Sequence, residues 1–515
     1  MTIRCGIDLG TTYSSISWYD TYNNRVDTID LDSADGAKVL RSVVFFPEDG
    51  DPPVVGNTAW RAYPHNPDRV EIGIKRAMGS DYSRDVDGKF LVPQQISAEI
   101  LKTITNDAQT YLGEEVKDVV ITVPAYFGDN ERAATEEAGT LAGLNVLALL
   151  PEPHAAALAY AVEKVADIVD RHLLIYDLGG GTFDVTLVYA TTQSDQDGST
   201  NLTIETLAKE GDAHLGGLDW DRVLCAIVSE KILDQFDVDP SEDPRNEPIL
   251  MDNCEKAKRD LSRISQVSIV GDLAGHQVDV TLSEFEDRTR DLLYRTQLLL
   301  EQVYADAYEK HGIEQDQIEV MLCGGSSRMP MVRRMLRTLT GKEPLTHRNP
   351  ELLVTIGAAY WSFLLQPGAK IPTPDGSGGP IHVNPGGLSD TSAYDVGIEV
   401  YRSDGQGGFT RFNSLILPCG TVYGEQISKE FRTAEDGSTE LLIRLLKGDA
   451  GTADTCEILA EFTISGLPPN RPRGQPVHLT LGYDSSGILQ GSAVDVNTGI
   501  QCDIFVDRTR HIWEV

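Results

Sequence analysis

Two short glycine-carrying segments of nearly the same design recur far apart in the chain, Asp8-Leu9-Gly10-Thr11-Thr12 and Asp177-Leu178-Gly179-Gly180-Gly181-Thr182. Their residue types suit a clamp for a nucleotide triphosphate. Glycine lets the turn adopt backbone angles that a Cβ would forbid, so successive N–H groups can point at phosphate oxygens. The Asp opening each segment would face a metal ion on the phosphates, and the threonines add hydroxyl donors. One Asp-Leu-Gly turn would most often just reverse the chain; two copies in matching surroundings imply two equivalent half-sites.

The elements that must position these turns are legible on either side. The apolar runs Cys5-Gly6-Ile7 and Leu173-Leu174-Ile175-Tyr176 precede them and read as buried strands. Ser14-Ser15-Ile16-Ser17-Trp18 and Phe183-Asp184-Val185-Thr186-Leu187-Val188 follow as return strands. Strand, turn and strand occurring twice predict two lobes descended from one unit, with a cleft between them. Such duplicated, ribonuclease-H-like lobes resemble the superfamily of actin, the sugar kinases and the heat-shock chaperone ATPases.

At 515 residues the chain is long enough for three or four domain-sized units. A hydrophobic fraction of 41% and a charged fraction of 24% are those of an ordinary soluble globular protein. With 44 basic against 79 acidic residues, the net charge of -35 repels a nucleic-acid backbone or an anionic membrane, so neither is expected as a partner. Seven cysteines, at 5, 225, 254, 323, 419, 456 and 502, form no Cys-x-x-Cys pair or zinc pattern. They read as buried small hydrophobes in a reducing compartment. The first strand starts too close to Met1 for a signal peptide, and no apolar run is long enough to span a bilayer, so a cytoplasmic location is expected.

Residues 1–365 alternate short strands with helical patterns, for example Val119-Val120-Ile121-Thr122-Val123 before a helix-like stretch from Asn130 to Ala142, which predicts an α/β domain. Residues 366–394 shift to Pro, Gly, Ser and Thr, including Pro372-Thr373-Pro374-Asp375-Gly376-Ser377-Gly378-Gly379, and read as a linker. From 395 to 515 short alternating runs such as Glu440-Leu441-Leu442-Ile443-Arg444-Leu445, separated by turns, predict an all-β sandwich ending near Cys502-Asp503-Ile504-Phe505-Val506.

A narrower resemblance rests on Val123-Pro124-Ala125-Tyr126-Phe127, Arg132, Leu150-Pro151-Glu152-Pro153, Gly211-Asp212-Ala213-His214-Leu215-Gly216-Gly217-Leu218-Asp219, Glu255-Lys256-Ala257-Lys258-Arg259-Asp260-Leu261-Ser262, Cys323-Gly324-Gly325-Ser326-Ser327-Arg328-Met329-Pro330, and Asn349-Pro350 ahead of Gly357-Ala358-Ala359. In this order they resemble the seventy-kilodalton heat-shock chaperones, the DnaK family. The resemblance implies an actin-like ATPase domain followed by a β-sandwich that binds extended polypeptide. It further implies ATP or ADP with magnesium, the ion held by Asp8 and Asp177 through its water shell. Lys75, Glu152, Asp177 and Thr182 are then the catalytic residues, with Asp184 helping to align metal and water. Gly10, Thr11, Thr12, Tyr13, Gly179, Gly180, Gly181, Gly216, Gly217, Glu255, Lys258, Arg259, Ser262, Gly324, Gly325, Ser326, Arg328 and Glu351 contact nucleotide. Arg259 and Arg328 are expected to sandwich the adenine, because guanidinium planes stack on aromatic faces. Without the resemblance Lys75 would read as a solvated lysine, Glu152 as a helix-start carboxylate, and the Glu-Lys-Ala-Lys run as a solvent-facing charged helix.

In the β domain, Val396-Gly397-Ile398-Glu399, Phe431-Arg432-Thr433-Ala434-Glu435-Asp436, Gly466-Leu467-Pro468-Pro469, Arg473-Gly474 and Asp484-Ser485-Ser486-Gly487-Ile488-Leu489 carry the likeness. It implies that Ile398, Phe431, Ala434, Leu441 and Ile443 line a peptide groove, where the plain alternative is sandwich core. A J-domain co-chaperone and a nucleotide-exchange factor are implied partners. Several departures accompany these matches. No helical lid is expected after the β domain, Pro380-Ile381-His382-Val383-Asn384-Pro385-Gly386-Gly387 replaces a leucine-rich linker, the segment between Lys75 and Pro124 is short, and His154 stands where Thr is usual. Weak coupling between ATP and peptide is the expectation. The alternatives are a dedicated partner-binding protein with a nucleotide-sensing domain and a small-molecule kinase.

Overall fold

Each Asp-Gly turn closes a hairpin in the middle of its own sheet. A computed structural model describes residues 3–505 apart from 33–35, 49, 165–169, 374–378, 385, 393, 404–408, 450 and 485. In the first sheet β1 (Ile3–Asp8) pairs antiparallel with β2 (Tyr13–Asp20), and β2 with β3 (Arg25–Thr28). On its other side β1 runs parallel to β4 (Val116–Val123), which runs parallel to β5 (Asn145–Pro151). The second sheet repeats this order, β10-β9-β6-β7-β8 against β5-β4-β1-β2-β3, with β6 (Arg171–Leu178), β7 (Phe183–Ser194), β8 (Thr200–Asp212), β9 (Ile318–Cys323) and β10 (Leu345–Thr346). The directions match as well, β6 being antiparallel to β7 and parallel to β9.

Small residues let helices sit directly on these sheets. In α1 (Glu152–Glu163) the Ala155-Ala156-Ala157 run is wholly buried. A Cβ on Gly357, in α4 (Leu353–Leu364), would lie 1.8 Å from the Ala155 carbonyl oxygen, and one on Gly6 of β1 would lie 2.2 Å from the Ala358 backbone. The Gly-Ala-Ala and Ala-rich motifs are therefore packing devices that bring two helices and a strand into backbone contact. Two further helices, α2 (Gly217–Phe236) and α3 (Asn246–Leu261), pack on each other and share a core with β6 and β7, built on Leu174, Phe183, Trp220, Leu224 and Cys254.

The chain divides into two compact units, Met1–Tyr126 with Ala134–Leu388, and Phe127–Ala133 with Ser389–Val515. Within the first, Ile381–His382 runs beside Thr200 and Asn201 at the edge of the second sheet, and Ile371 and Ile381 are buried. Much of the Pro/Gly run, 374–378, lies outside the described residues, as do Pro385 and Ala393. The second unit holds two four-stranded antiparallel sheets. One has the order β12-β11-β14-β15, from β11 (Val396–Ser403), β12 (Phe409–Leu417), β14 (Glu440–Lys447) and β15 (Glu457–Ser465). The other has the order β13-β16-β17-β18, from β13 (Gln426–Arg432), β16 (Pro476–Tyr483), β17 (Leu489–Asp495) and β18 (Gln501–Phe505). Val396, Ile398, Leu445, Ile464, Leu479, Leu481 and Ile504 fill their shared core. Ser485, Val506 and the residues after it lie outside the described residues. Arg132, fully buried in this unit, donates to the Phe127 and Ser486 carbonyls at 3.0 Å each and pairs with Asp390 at 3.1 Å.

All seven cysteines are free thiols, but only Cys5, Cys254 and Cys323 are buried; Cys225, Cys456 and Cys502 are half-buried and Cys419 is exposed. The expectation of uniformly buried cysteines is thus corrected: Cys419 lies beyond the end of β12, outside the sandwich core. No helix among the described residues is long and apolar enough to cross a membrane.

Candidate functional site

The two glycine turns meet. β1 and β2 leave the turn between Asp8 and Ser15, and β6 and β7 leave the turn between Leu178 and Phe183. A Cβ on Gly180 would stand 2.1 Å from the Thr12 hydroxyl oxygen, and one on Gly181 would stand 2.3 Å from the Thr11 methyl carbon. The first turn is fixed by the Gly10 N–H donating to Ser14 Oγ (3.2 Å) and by Ser42 Oγ donating to the Gly10 carbonyl (2.7 Å). The second is fixed by the Gly179 N–H donating to the Thr182 carbonyl (3.1 Å). It is braced from behind by the start of α2, where the Gly217 and Leu218 N–H groups donate to the Gly179 and Gly180 carbonyls at 3.0 and 2.8 Å. Gly216 crosses Gly181 so closely that a Cβ would lie 2.6 Å from its backbone.

Four carboxylates and one ammonium converge beside the turns. Lys75, only 5% exposed, sits in a short 3-10 helix, Ile74–Ala77, that follows Gly73 in the left-handed region at φ 71°. Its Nζ donates to Glu152 Oε1 at 2.6 Å. Glu152 occupies the first turn of α1 behind Pro151, so it is a helix-start carboxylate and also the partner of Lys75. Burial pulls the Lys75 ammonium down, but Glu152 and Asp8 outweigh it and hold the proton more tightly than usual. Loss of water and the Glu152 charge push Asp8 up to about 7, against Lys75 and a 3.1 Å hydrogen bond from Thr122. The same two causes raise Asp184 to about 7, although it accepts the Tyr126 N–H at 3.2 Å. Asp177 is raised well above the carboxylate range by burial, then by Glu152 and Asp184.

Four carboxyls crowded together beside Lys75 repel one another when ionised, and a cation would relieve that repulsion. Among the described residues no three His, Cys, Asp or Glu side chains are grouped for direct ligation. This donor set fits a hydrated magnesium ion, which keeps several waters and takes few protein ligands. The Thr12 hydroxyl, buried and without a hydrogen-bond partner, is a donor suited to a phosphate oxygen.

Helix α3 presents the residues expected at the adenosine end. Glu255 and Lys258 are buried, so this run is no solvent-facing charged helix. Glu255 accepts from Tyr13 OH at 2.7 Å and pairs with Arg259 at 2.6 Å and Arg41 at 2.9 Å. Lys258 donates to the Gly217 carbonyl (2.8 Å) and to Asp221 (2.7 Å), and Ser262 caps the helix, its hydroxyl donating to the Lys258 carbonyl at 3.2 Å. Gly324, at φ 77°, passes so close to Asp177 that a Cβ would meet its Oδ1 at 2.4 Å; the short helix Gly325–Arg328 follows, with Ser326 buried. The two arginines do not stand as free plates. Arg259 lies 5.2 Å over the Tyr13 ring, and Arg328 is paired with Glu351 at 2.6 Å.

Sequence reasoning passed over Arg41, Trp60, Arg76 and Asp252. Arg41 lies 4.6 Å over the Trp60 ring, which itself donates to Asp252 at 2.8 Å. Arg76 ties the Gly181 carbonyl (2.8 Å) to Asp219 (2.7 Å). Only Arg76, beside Lys75, carried a signal. In the second unit, Ile398 is core, while Phe431, Leu441 and Ile443 are half-buried and pack against that core; Ala434 is exposed. Ala434 lies past the end of β13.

A family model described as "Hsp70 protein" matches residues 4–87 and 83–513. The chaperone protein DnaK of Thermotoga petrophila is 40% identical over 504 residues, covering 96% of this chain and 78% of that protein. The DnaK of Thermosipho africanus is 38% identical over 518 residues, covering 99% of this chain and 80% of that protein.

Proposed function

The chain belongs to the Hsp70 family, and from that membership we infer an ATP-dependent chaperone that hydrolyses ATP and binds polypeptide. The observation that carries this reading is the contact of the two glycine turns beside the buried Lys75–Glu152 pair. In this reading the repeated strand order is an actin-like pair of lobes. Main-chain N–H groups and the Thr11 and Thr12 hydroxyls bind the phosphates from both sides. Asp8 and Asp177 would hold magnesium through its waters, and the bound ion supplies charge neutralisation on the phosphates. Lys75 places a fixed positive charge where negative charge develops in phosphoryl transfer, and Glu152 keeps its side chain from swinging away. Thr182 and Asp184 orient the attacking water. Neither the kinase nor the partner-sensing alternative is favoured by the relatives' names.

We further assign the polypeptide to the second unit, held by main-chain hydrogen bonds with Ile398, Phe431, Leu441 and Ile443 below it and Ala434 at its rim. A J-domain helper, an exchange factor and a cytoplasmic location complete the reading; the free thiols favour a reducing compartment. Lys75→Met tests the catalytic assignment: ATP turnover should fall at least about a hundredfold while Mg-ATP is still bound. Undiminished turnover would overturn it.

A further inference from the structure

The helix Pro330–Thr340, which follows β9 and the Gly325–Arg328 turn, has two opposed faces. Met331, Val332 and Leu336 are buried in the core built on Leu174, Phe183 and Trp220. Arg333, Arg334 and Arg337 face outward, their side chains 57%, 57% and 69% exposed. At 3.6 residues per turn these three share an arc of about 100°. Lys342 is exposed just past the helix end, where its ammonium donates to the Asp316 carbonyl. Arg333 and Arg337 both pair with Glu343, at 2.9 and 3.2 Å, and Arg334 pairs with Glu286 of the helix Leu282–Arg288. Glu319, in the hollow beside Lys342, is paired with Arg171. Four cations thus share two carboxylates, and the excess is positive. The chain as a whole is opposite in sign: from Arg328 to Arg348 six residues are basic and one is acidic, against 44 and 79 overall.

We propose that this arginine face is a docking surface for a short polypeptide segment of another protein, one rich in Asp and Glu. Charge complementarity selects the occupant. Guanidinium forks match carboxylates, as the pairs with Glu343 and Glu286 already show, and an incoming carboxylate would give Arg333 and Arg337 one each. The extent of the face decides against larger polyanions. A nucleic-acid duplex or an anionic bilayer would run past it onto a surface whose net charge of -35 repels both, and a second copy of the chain is repelled as a whole. A short acidic segment ends where the cations end. All four cations belong to the first compact unit, so this surface is separate from the peptide groove assigned to the second, and none of the four is assigned to nucleotide. Exposed ion pairs are individually weak and screened by salt, so several must act together and binding must fall as ionic strength rises.

The test is fluorescence anisotropy of the full chain with a labelled peptide of alternating Glu and Ser, long enough to span the helix at about 20 Å when extended. It carries no apolar side chain for the groove of the second unit. Saturable binding is expected, weakening at least about tenfold when salt rises from about 30 mM to about 300 mM. Arg333→Gln combined with Arg337→Gln should weaken binding about tenfold while the urea midpoint stays that of the wild type, because both side chains lie outside the core. Adding Arg334→Glu to that pair should abolish binding, and a peptide with Lys in place of Glu should not bind. No saturable binding by the wild type at low salt overturns the proposal, as does binding that the Gln variant retains in full. Tighter uptake of a short DNA duplex or of phosphatidylserine vesicles, lost in the Gln variant, would assign the face to that polyanion and overturn the proposal as well.

Discussion

Lys75 is the residue whose role depends most on its surroundings. As a bare lysine in a sequence it belongs on the surface; here it is buried beside Asp8, Glu152 and Asp184. The raised carboxyls have a measurable consequence. Below about pH 4 both folded and unfolded chains hold these protons; as pH climbs toward 7 the unfolded chain ionises while the folded one resists. The nucleotide-free protein should therefore lose stability between about pH 4 and about pH 7, and added magnesium should oppose the loss. Asp184→Asn should flatten that decline in thermal melts recorded across the range; an unchanged slope would remove Asp184 from the effect. The sequence disclosed the two Asp-Gly turns because their residues are contiguous. It could not disclose the Arg41–Trp60–Asp252 cluster, whose members come from separate short elements brought together only by folding.

At the scale of elements, the fold depends on places where two backbones nearly touch. Gly357 against Ala155 and Gly216 against Gly181 both exclude any Cβ, one deep in the core and one behind the second glycine turn. The two sites should respond differently to the same substitution. Gly357→Ala overpacks a helix crossing and should destabilise the chain by about 1–3 kcal/mol or more in urea unfolding. Gly216→Ala should displace the phosphate turn, weakening Mg-ATP binding at least about tenfold with a smaller loss of stability. Equal effects of the two on stability, with nucleotide affinity intact in Gly216→Ala, would contradict the assignment of that turn. The hairpins, the Asn130-to-Ala142 helix and the alternating β runs were legible because period and turn residues are local signals.

For the whole molecule, the sequence indicated an α/β region and a β region, and the chain forms two compact units, the second of which also includes Phe127–Ala133. That short segment gave no compositional sign of its allegiance, because what binds it is Arg132 buried against Asp390 and main-chain carbonyls. An Hsp70 chaperone should also bind a labelled extended peptide, and weak coupling predicts affinities in ATP and in ADP that differ by less than about tenfold in fluorescence anisotropy; a larger difference would overturn that expectation. The central claim is that the twin glycine turns grip one triphosphate. Calorimetric titration of the full chain with Mg-ATP, wild type beside Gly181→Val, tests it most directly: the wild type should give heat fitting one site with Kd of about 1 μM or tighter, and the variant should lose it. No heat from the wild type, or full binding by a variant whose new side chain must enter Thr11, would contradict the account.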